Sequence, residues 1–321
     1  MAMTKCATAF VIVAVAGYLS AQTVRPDNAQ SLAHVDAAKK LAGDDSWLQG
    51  PFNFYCVAGK ARPNSTTAPA MEPAKLFDNL YAVGNSEATV HALVTSQGII
   101  LIDSGYADRV ETEVVAGLKQ VGLDPANVKY VLVGHGHGDH FGGSAYFQDH
   151  YGAKVGLTAA DWDVMYPATP PANANANQVR PKRNLVLAEG QPLTLGDTTV
   201  TFVAIPGHTP GSLAFIFPVK DGRQRHVAGL FGGTILTADR ITTPGLQQYV
   251  QSIEHYLDVA KKMKVDVEVQ NHALFDMTPE RLAKLKTRKS GEPNPFFAGT
   301  DRYVKFWSIV SECMQAEIAR R

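Results

Sequence analysis

The stretch YVLVGHGHGDH, residues 130–140, decides how this chain folds and what it can bind. It begins as a short apolar strand and continues as a run of three histidines and one aspartate. His135 and His137 are two residues apart, so their rings project to the same side of an extended segment. The intervening glycines have no side chains, and they let the loop fold tightly enough to bring Asp139 and His140 around. The run therefore offers four metal ligands from a single loop.

The alternative for such a run is a set of solvated loop histidines. A single histidine usually has that role. Here three of the ten histidines of a 321-residue chain fall within six residues, directly after an apolar strand. The carboxyl end of a buried strand is also where α/β proteins tend to bind ligands. The concentration of histidines and their location together favour a metal site.

Two further histidines follow predicted strands in the same way. His208 lies in the turn PGHTPG, residues 206–211, after the strand Val200–Ile205, and His272 follows the strand Val265–Val269. Either histidine alone would more often be structural. With the run they complete six ligands, which suits two metal ions. Catalytic zinc sites use such nitrogen and oxygen ligands and leave one position open, whereas structural zinc favours cysteine.

The segments around the run alternate between strand and helix patterns. Ile99–Ile102 is nearly continuous in apolar residues, as in a strand that is covered on both faces. Residues 107–121 have apolar side chains on one stripe, which predicts a helix. Residues 166–184 have no periodicity and predict a surface loop, and the chain from Thr278 onward is mostly helical. Strands and helices mix in both halves, so we expect two sheets packed face to face with helices outside.

Composition and charge limit the classes of partner. Lys plus Arg and Asp plus Glu both number 30, so the formal net charge at pH 7 is zero. A near-neutral surface gives no reason to expect nucleic acid or an anionic membrane as a partner. Hydrophobic residues make up 45% of the chain and charged residues 19%, which is an ordinary globular balance. A small molecule is therefore the expected substrate, and the oligomeric state is left open.

The first residues differ from the rest of the chain. Residues 1–21 combine a positive charge at Lys5, a short apolar run and small residues at the end, which is the order of a secretory signal peptide cleaved near Ala21. An uncleaved anchor is the alternative, although the apolar run is short for a membrane span. Residues 22–75 are rich in Pro, Ala and Asn and predict an irregular, extended N-terminal arm. We therefore expect a secreted or periplasmic protein.

Two of the three cysteines remain after that cleavage. Cys6 precedes the apolar run, whereas Cys56 and Cys313 lie near the two ends of the mature chain. In an oxidising compartment these two could form a single disulfide. Free thiols are equally consistent with the sequence, because it does not supply the Cα separation that a bridge needs.

The order HGHGDH, then GHTPG, then NH resembles the metallo-β-lactamase superfamily over about residues 76–288. The resemblance implies an α+β fold, a four-layer αβ/βα sandwich of two mixed sheets. It also implies that residues 76–321 are the catalytic domain, with the site along one edge of the sheets.

The same resemblance assigns roles to the candidate residues. Asp103, in the stretch LIDSG, would accept a hydrogen bond behind the metal loop rather than bind metal itself. The remaining residues would be ligands of two zinc ions: His135, His137 and His208 for the first, and Asp139, His140 and His272 for the second.

The sequence departs from the pattern of the superfamily in two places, and these differences narrow the choice of subgroup. Members similar to glyoxalase II, lactonases and phosphodiesterases have a bridging aspartate in a Gly-Asp motif after the strand that follows GHTPG. The comparable stretch here, LFGGTIL at residues 230–236, has neither that aspartate nor the cysteine of some β-lactamases, and is similar to the third subclass of metallo-β-lactamases. That subclass usually binds the substrate carboxylate with serines in this region. This chain offers Thr234 and Thr237 instead as candidate substrate-binding residues, which leaves the substrate open.

The ligands and the resemblance together predict a secreted dinuclear zinc hydrolase. Two zinc ions about 3.5–4 Å apart would hold a water molecule and lower its pKa from 15.7 to about 7, so that zinc-bound hydroxide attacks the amide of a β-lactam ring. Asp139 would be catalytic, because it would orient the water or transfer its proton. The alternatives are hydrolysis of another cyclic amide, a lactone or a thioester at the same metals, and a zinc-binding protein without catalysis.

Overall fold

The computed structural model describes residues 25–57, 68, 70–167, 179–274 and 276–321. The predicted signal peptide, residues 1–21, lies outside the described residues, and so does most of the predicted loop 166–184. Within the described residues the strands form two sheets, one of seven strands and one of five.

The seven-stranded sheet is mixed, and its strands lie in chain order. Its first four strands pair antiparallel with their neighbours. The fourth to seventh strands run parallel to one another. The strands are β1 (Ala74–Phe77), β2 (Leu80–Gly84), β3 (Thr89–Thr95), β4 (Gly98–Ile102), β5 (Val128–Leu132), β6 (Lys154–Leu157) and β7 (Leu185–Val186).

The five-stranded sheet is also mixed: its last strand in the chain pairs parallel with its neighbour, and the other pairs of neighbouring strands are antiparallel. Its spatial order is β12-β11-β10-β9-β8. The strands are β8 (Leu193–Leu195), β9 (Thr198–Ala204), β10 (Leu213–Asp221), β11 (Gln224–Phe231) and β12 (Val267–Glu268). The two mixed sheets expected from the sequence are confirmed.

Helices follow or precede the strands on the outer faces of both sheets. The helix predicted over residues 107–121 begins as a π-helical segment, Val110–Val115, and continues as an α-helix. The predicted helical tail is confirmed as two helices. The α-helices are α1 (Ala29–Ala42), α2 (Gln49–Tyr55), α3 (Ala116–Gln120), α4 (Gly138–Phe141), α5 (Ser144–Tyr151), α6 (Ala159–Met165), α7 (Thr243–Lys262), α8 (Thr278–Thr287) and α9 (Thr300–Ala319).

Three hydrophobic clusters separate four layers, as the sandwich fold requires. Strand β4 shows the arrangement: Ile100 and Ile102 face the cluster between the sheets, while Ile99 and Leu101 face the cluster under α3, α5 and α6. A third cluster packs α1, α2, α7 and α9 on the other face of the second sheet. A strand that is buried on both faces has few polar residues, so the apolar run at residues 99–102 predicts such a strand.

The prediction of an irregular, extended arm over residues 22–75 is wrong for two segments, which are the helices α1 and α2. The core-facing positions of α1 include small residues, Ala38 and Ala42, so the apolar stripe is weak in the sequence. The helix begins at a capping box between Asn28 and Ser31, whose side chains bond each other's backbone N–H groups.

The two N-terminal helices pack on α9, and a disulfide fixes the arrangement. Cys56, just after α2, bonds to Cys313 in α9, with their Cα atoms 4.9 Å apart. The sequence left this pairing open, and the fold decides it. In the described part of the chain no helix has both the length and the apolar character to cross a membrane.

Candidate metal centre

Three histidines from two loops converge on one point. His135 and His137 follow β5, and His208 follows β9. The Nε2 atom of His135 lies 3.1 Å from Nδ1 of His137 and 3.0 Å from Nε2 of His208. One nitrogen from each ring can therefore reach a common centre, as the sequence predicted for this trio.

A second group lies beside the first. The Nε2 atoms of His140 and His272 are 3.1 Å apart. The Oδ2 atom of Asp139 is 3.2 Å from the first of these nitrogens and 4.0 Å from the second. The ring centroids of His135 and His140 are 4.1 Å apart, so the two groups are in contact through these two rings. The structure brings all six predicted side chains together.

The outer ring nitrogens show which way the lone pairs point. Nδ1 of His135 donates to the carbonyl of Gly232 over 2.7 Å, and Nδ1 of His272 donates to the carbonyl of Glu87. Nδ1 of His140 donates to the carboxylate of Asp103 over 2.7 Å. This tautomer is assigned from the hydrogen-bond partners. It leaves Nε2 of each ring as an acceptor that faces the centre.

These inner nitrogens fit a metal cation. The Nε2 atoms of His140 and His272 are 3.1 Å apart, a distance at which two nitrogen lone pairs need a proton or a metal cation between them. Burial lowers the pKa of His135 and His208 well below the usual value and that of His272 to about 4, so these rings are neutral at pH 7. Burial also opposes charge on His140, but the carboxylates of Asp139 and Asp103 raise its pKa to about 10. The cluster therefore attracts positive charge, and imidazole and carboxylate donors without a thiolate suit an open zinc site.

Asp103 lies behind the two groups of candidate ligands, called the metal groups below, and is not a member of either. Its Oδ1 atom accepts the backbone N–H of Gly134 over 2.7 Å, and its Oδ2 atom accepts from His140 and from the amide of Asn271. The residue has a φ of 63°, in the left-handed region that a side chain other than glycine seldom adopts. This geometry matches the role that the sequence suggested.

Asp161 has a similar position on the three-histidine side, and the sequence did not indicate it. The side chain is fully buried at the start of α6. Its oxygens accept the backbone N–H of Gly136, the backbone N–H of Gly211 and the hydroxyl of Thr209, each over 2.8 Å. One carboxylate thus joins the loop between His135 and His137 to the loop that carries His208.

The position of Asp161 in the first turn of a helix explains why the sequence did not indicate that it joins the two loops. Thr158 caps α6 and accepts the N–H of Asp161, so the pair reads as an ordinary helix start. Nothing in the spacing indicates that the carboxylate reaches Gly136, 25 residues earlier, or Gly211, 50 residues later.

Gly232 and Gly233, directly after β11, lie where a side chain has no room. A Cβ on Gly233 would lie 2.7 Å from the Cβ of Ser212, and a Cβ on Gly232 would lie 2.8 Å from the Cα of Gly134. Any side chain at either position would require the backbone to shift. The segments that follow β5 and β11 therefore approach each other closely, at Gly134 and Gly232.

The metal groups form the floor of a cavity of about 420 Å³. Its other walls come from Ile235, Leu236, Thr237, Arg240 and Ile241. This mixture of an apolar wall and a few polar groups is usual for a small-molecule site.

The two candidate threonines differ in position. Thr234 is fully buried, and its hydroxyl lies 3.1 Å from the carbonyl of Phe231 and 3.1 Å from Oε1 of Gln270. That hydroxyl is committed to protein acceptors, which disfavours the predicted substrate contact. Thr237 is partly exposed on the cavity wall and remains a candidate. Arg240, also on the wall, was not among the residues singled out in the sequence.

Comparison with known proteins agrees with this geometry. The sequence model described as the metallo-beta-lactamase superfamily matches residues 85–221. BJP-1, a subclass B3 metallo-β-lactamase of Bradyrhizobium japonicum, superposes with a TM-score of 0.61 and 30% sequence identity. That match covers 77% of this chain and 92% of BJP-1.

Curated relatives are similar over shorter stretches. The hydroxyacylglutathione hydrolase of Cereibacter sphaeroides is 30% identical over 132 residues, 40% of this chain and 46% of the relative. The acyl-coenzyme A thioesterase MBLAC2 of Gallus gallus is 27% identical over 235 residues, 65% of this chain and 79% of the relative. The chain spans less than half the length of the hydroxyacylglutathione hydrolases that it matches first.

Proposed function

We infer that this chain, which belongs to the metallo-β-lactamase superfamily, is a zinc-dependent hydrolase of the β-lactam amide. Its membership makes it a metal-binding hydrolase that acts on a small molecule. One observation carries the finer proposal: the similarity to the subclass B3 enzyme BJP-1 extends over 92% of that structure. The similarity to hydroxyacylglutathione hydrolases stops at less than half of their length.

The proposed ligands are the two groups that meet at the cavity floor. His135, His137 and His208 would hold one zinc ion. Asp139, His140 and His272 would hold a second. When bound, zinc supplies a water of lowered pKa and polarises the substrate carbonyl.

The chain's own residues then have separate tasks. The carboxylate of Asp139, about a quarter exposed, faces the cavity and can hold a proton on its way to the leaving nitrogen. Burial opposes its ionisation, but the neighbouring histidines His140, His272 and His137 lower the pKa of Asp139, so it stays an acceptor at neutral pH. The apolar side chains of Ile235 and Leu236 exclude water from one wall.

A second candidate function is hydrolysis of a thioester at the same residues. It is favoured by the similarity to MBLAC2, named an acyl-coenzyme A thioesterase, over 79% of that protein. A thioester and a β-lactam would both present a carbonyl to the same cavity floor. The geometry of the site supports both hydrolytic reactions, so an assay with both kinds of substrate has to distinguish them.

We also propose that the protein is secreted or periplasmic and loses residues 1–21. The disulfide between Cys56 and Cys313 supports an oxidising compartment, because such bonds are rare in the cytosol. Mass spectrometry of the protein exported from its host would find a mature chain that begins near residue 22. A full-length chain, retained with the cells, would contradict the proposal.

A substrate panel tests the activity. Purified protein with added zinc is assayed with a carbapenem, a cephalosporin, a penicillin, an acyl-coenzyme A and a hydroxyacylglutathione. The proposal predicts turnover of at least one β-lactam and its loss in His135→Ala. His255→Ala is the matched control, because His255 is an exposed histidine of α7 that bonds Glu189 and does not line the cavity. Turnover of thioesters alone would replace the first candidate by the second.

A further inference from the structure

The cavity wall carries one cationic side chain that the proposed chemistry does not use. Arg240 ends a 3-10 turn, Ala238–Arg240, and lines the cavity beside the metal groups. Among the residues that the structure describes, its guanidinium has no ion pair and no hydrogen bond. An unpaired guanidinium in a cavity is suited to a planar anion such as a carboxylate, which it can bind through two parallel hydrogen bonds.

A second arginine holds this turn from behind. Nη1 of Arg321 donates to the carbonyl of Ile241 over 2.6 Å, and Nη2 donates to the carbonyl of Ala238 over 2.7 Å. These two carbonyls flank Arg240 on both sides. The side chain of Arg321 is only 10% exposed, and its guanidinium also meets Glu317. The fork of one guanidinium thus fixes both ends of the turn.

The arginine that holds the turn is itself anchored. Arg321 lies two residues after the end of α9, which the disulfide at Cys313 ties to the N-terminal helices. The amide of Asn28 donates to the carbonyl of Ala319 over 2.6 Å, and Arg320 bonds Asp27 over 2.8 Å. The end of α9 is therefore a rigid support, and the cavity turn rests on it.

We propose that Arg321 is a positioning residue, which holds the turn Ala238–Arg240 so that Arg240 binds a carboxylate of the substrate. The inference rests on the proposed hydrolase function and narrows its substrate class to carboxylates with a scissile carbonyl nearby. A β-lactam with its ring carboxylate belongs to that class. Thr234 and Thr237 are uncharged. Among the described residues of the wall, Arg240 is the one whose positive charge can neutralise a substrate carboxylate.

The first test needs no substrate. Hydrogen exchange is measured at the backbone amides of Arg240 and Ile241, which bond within the turn to Thr237 and Ala238. In Arg321→Gln we expect exchange at these amides to become about tenfold faster or more. Arg302→Gln is the matched control, since it removes the same charge from the other end of α9, where Arg302 bonds Asp45 instead of the turn. Equal protection of the turn in both variants would overturn the positioning role.

The second test measures binding of an unstrained γ-lactam analogue of a cephalosporin, which lacks the reactive four-membered ring, as its free acid and as its methyl ester, by calorimetry on the zinc-loaded protein. The wild type should bind the acid about tenfold more tightly than the ester, because one charge-assisted contact is lost in the ester. Arg240→Gln should remove this preference, and Arg321→Gln should reduce it. Combining the two changes should add nothing to Arg240→Gln, because both act through one contact.

The outcomes separate this inference from the proposed function. Equal binding of acid and ester by the wild type, or an unchanged preference in Arg240→Gln, overturns the role of Arg240 even if β-lactams are hydrolysed. Tight, acid-selective binding without any hydrolysis contradicts the proposed activity but supports the carboxylate contact.

Discussion

Asp161→Asn is the substitution that tests the site most sharply, because one buried carboxylate supports both loops of the three-histidine group. All three of its partners are donors: the N–H groups of Gly136 and Gly211 and the hydroxyl of Thr209. Asparagine keeps the shape of the side chain, but one of its two polar atoms is a donor. The change therefore removes an acceptor without opening a cavity.

The magnitude follows from these contacts. If the amide oxygen keeps Gly136 and Thr209, the new NH₂ group faces the N–H of Gly211, and that buried N–H loses its partner. Losing a hydrogen bond to a charged group costs about 1.5–3 kcal/mol, and an unpaired buried donor costs about 1–3 kcal/mol. We expect the free energy of unfolding to fall by about 3–5 kcal/mol. Loss of such a support typically lowers metal affinity about 10- to 100-fold.

Two measurements check this expectation. Urea unfolding gives the stability of the variant, and competition with a chromophoric chelator gives its zinc affinity. Asp163→Asn is the matched control on the same helix, since Asp163 is 73% exposed and pairs with Arg183 at the surface. The control should change stability by less than about 1 kcal/mol. If Asp161→Asn binds zinc as tightly as the control, the support we assign to Asp161 is wrong.

Two further predictions concern buried groups away from the cavity. Glu268 is fully buried, its carboxylate is bonded by the amide of Gln270, and burial raises its pKa well above the usual value. The folded state then keeps a proton that the unfolded state releases, so this group's contribution to stability is lost as pH rises above about 4.5. Glu268→Gln should therefore become more stable relative to the wild type between about pH 5 and about pH 8 in denaturant titrations; parallel profiles would contradict a neutral Glu268. The disulfide closes a sequence separation of 257 residues, so the double change of Cys56 and Cys313 to serine should cost about 5.5 kcal/mol in the chain-entropy account. A melting temperature that is insensitive to reductant would argue against it.

The parts of the site that sequence could predict are those encoded in short stretches. The run from His135 to His140 has ligand types at close spacing after an apolar strand, and the structure brings them together. His208 and His272 were assigned from the order of motifs in the resembling superfamily, and they lie where that order placed them. The two mixed sheets followed from the apolar strands and from the same resemblance.

The parts that sequence could not predict depend on contacts between distant residues. Asp161 resembles a helix start, and its role depends on loops that only the fold brings to it. Arg240 and Arg321 are 81 positions apart and are linked through the backbone of one turn, which leaves no pattern in the sequence. Helix α1 was missed because two of its three buried residues are alanines, which give little amphipathic signal.

The central claim is that six side chains bind two zinc ions that the hydrolysis requires. Titrating chelator-treated protein with zinc, with elemental analysis and carbapenem or cephalosporin hydrolysis followed together, tests it most directly. The account predicts two zinc ions bound per chain, activity that rises with occupancy, and one ion lost in His208→Ala and in His272→Ala. Binding of less than one ion per chain, or zinc content that neither substitution changes, would contradict it.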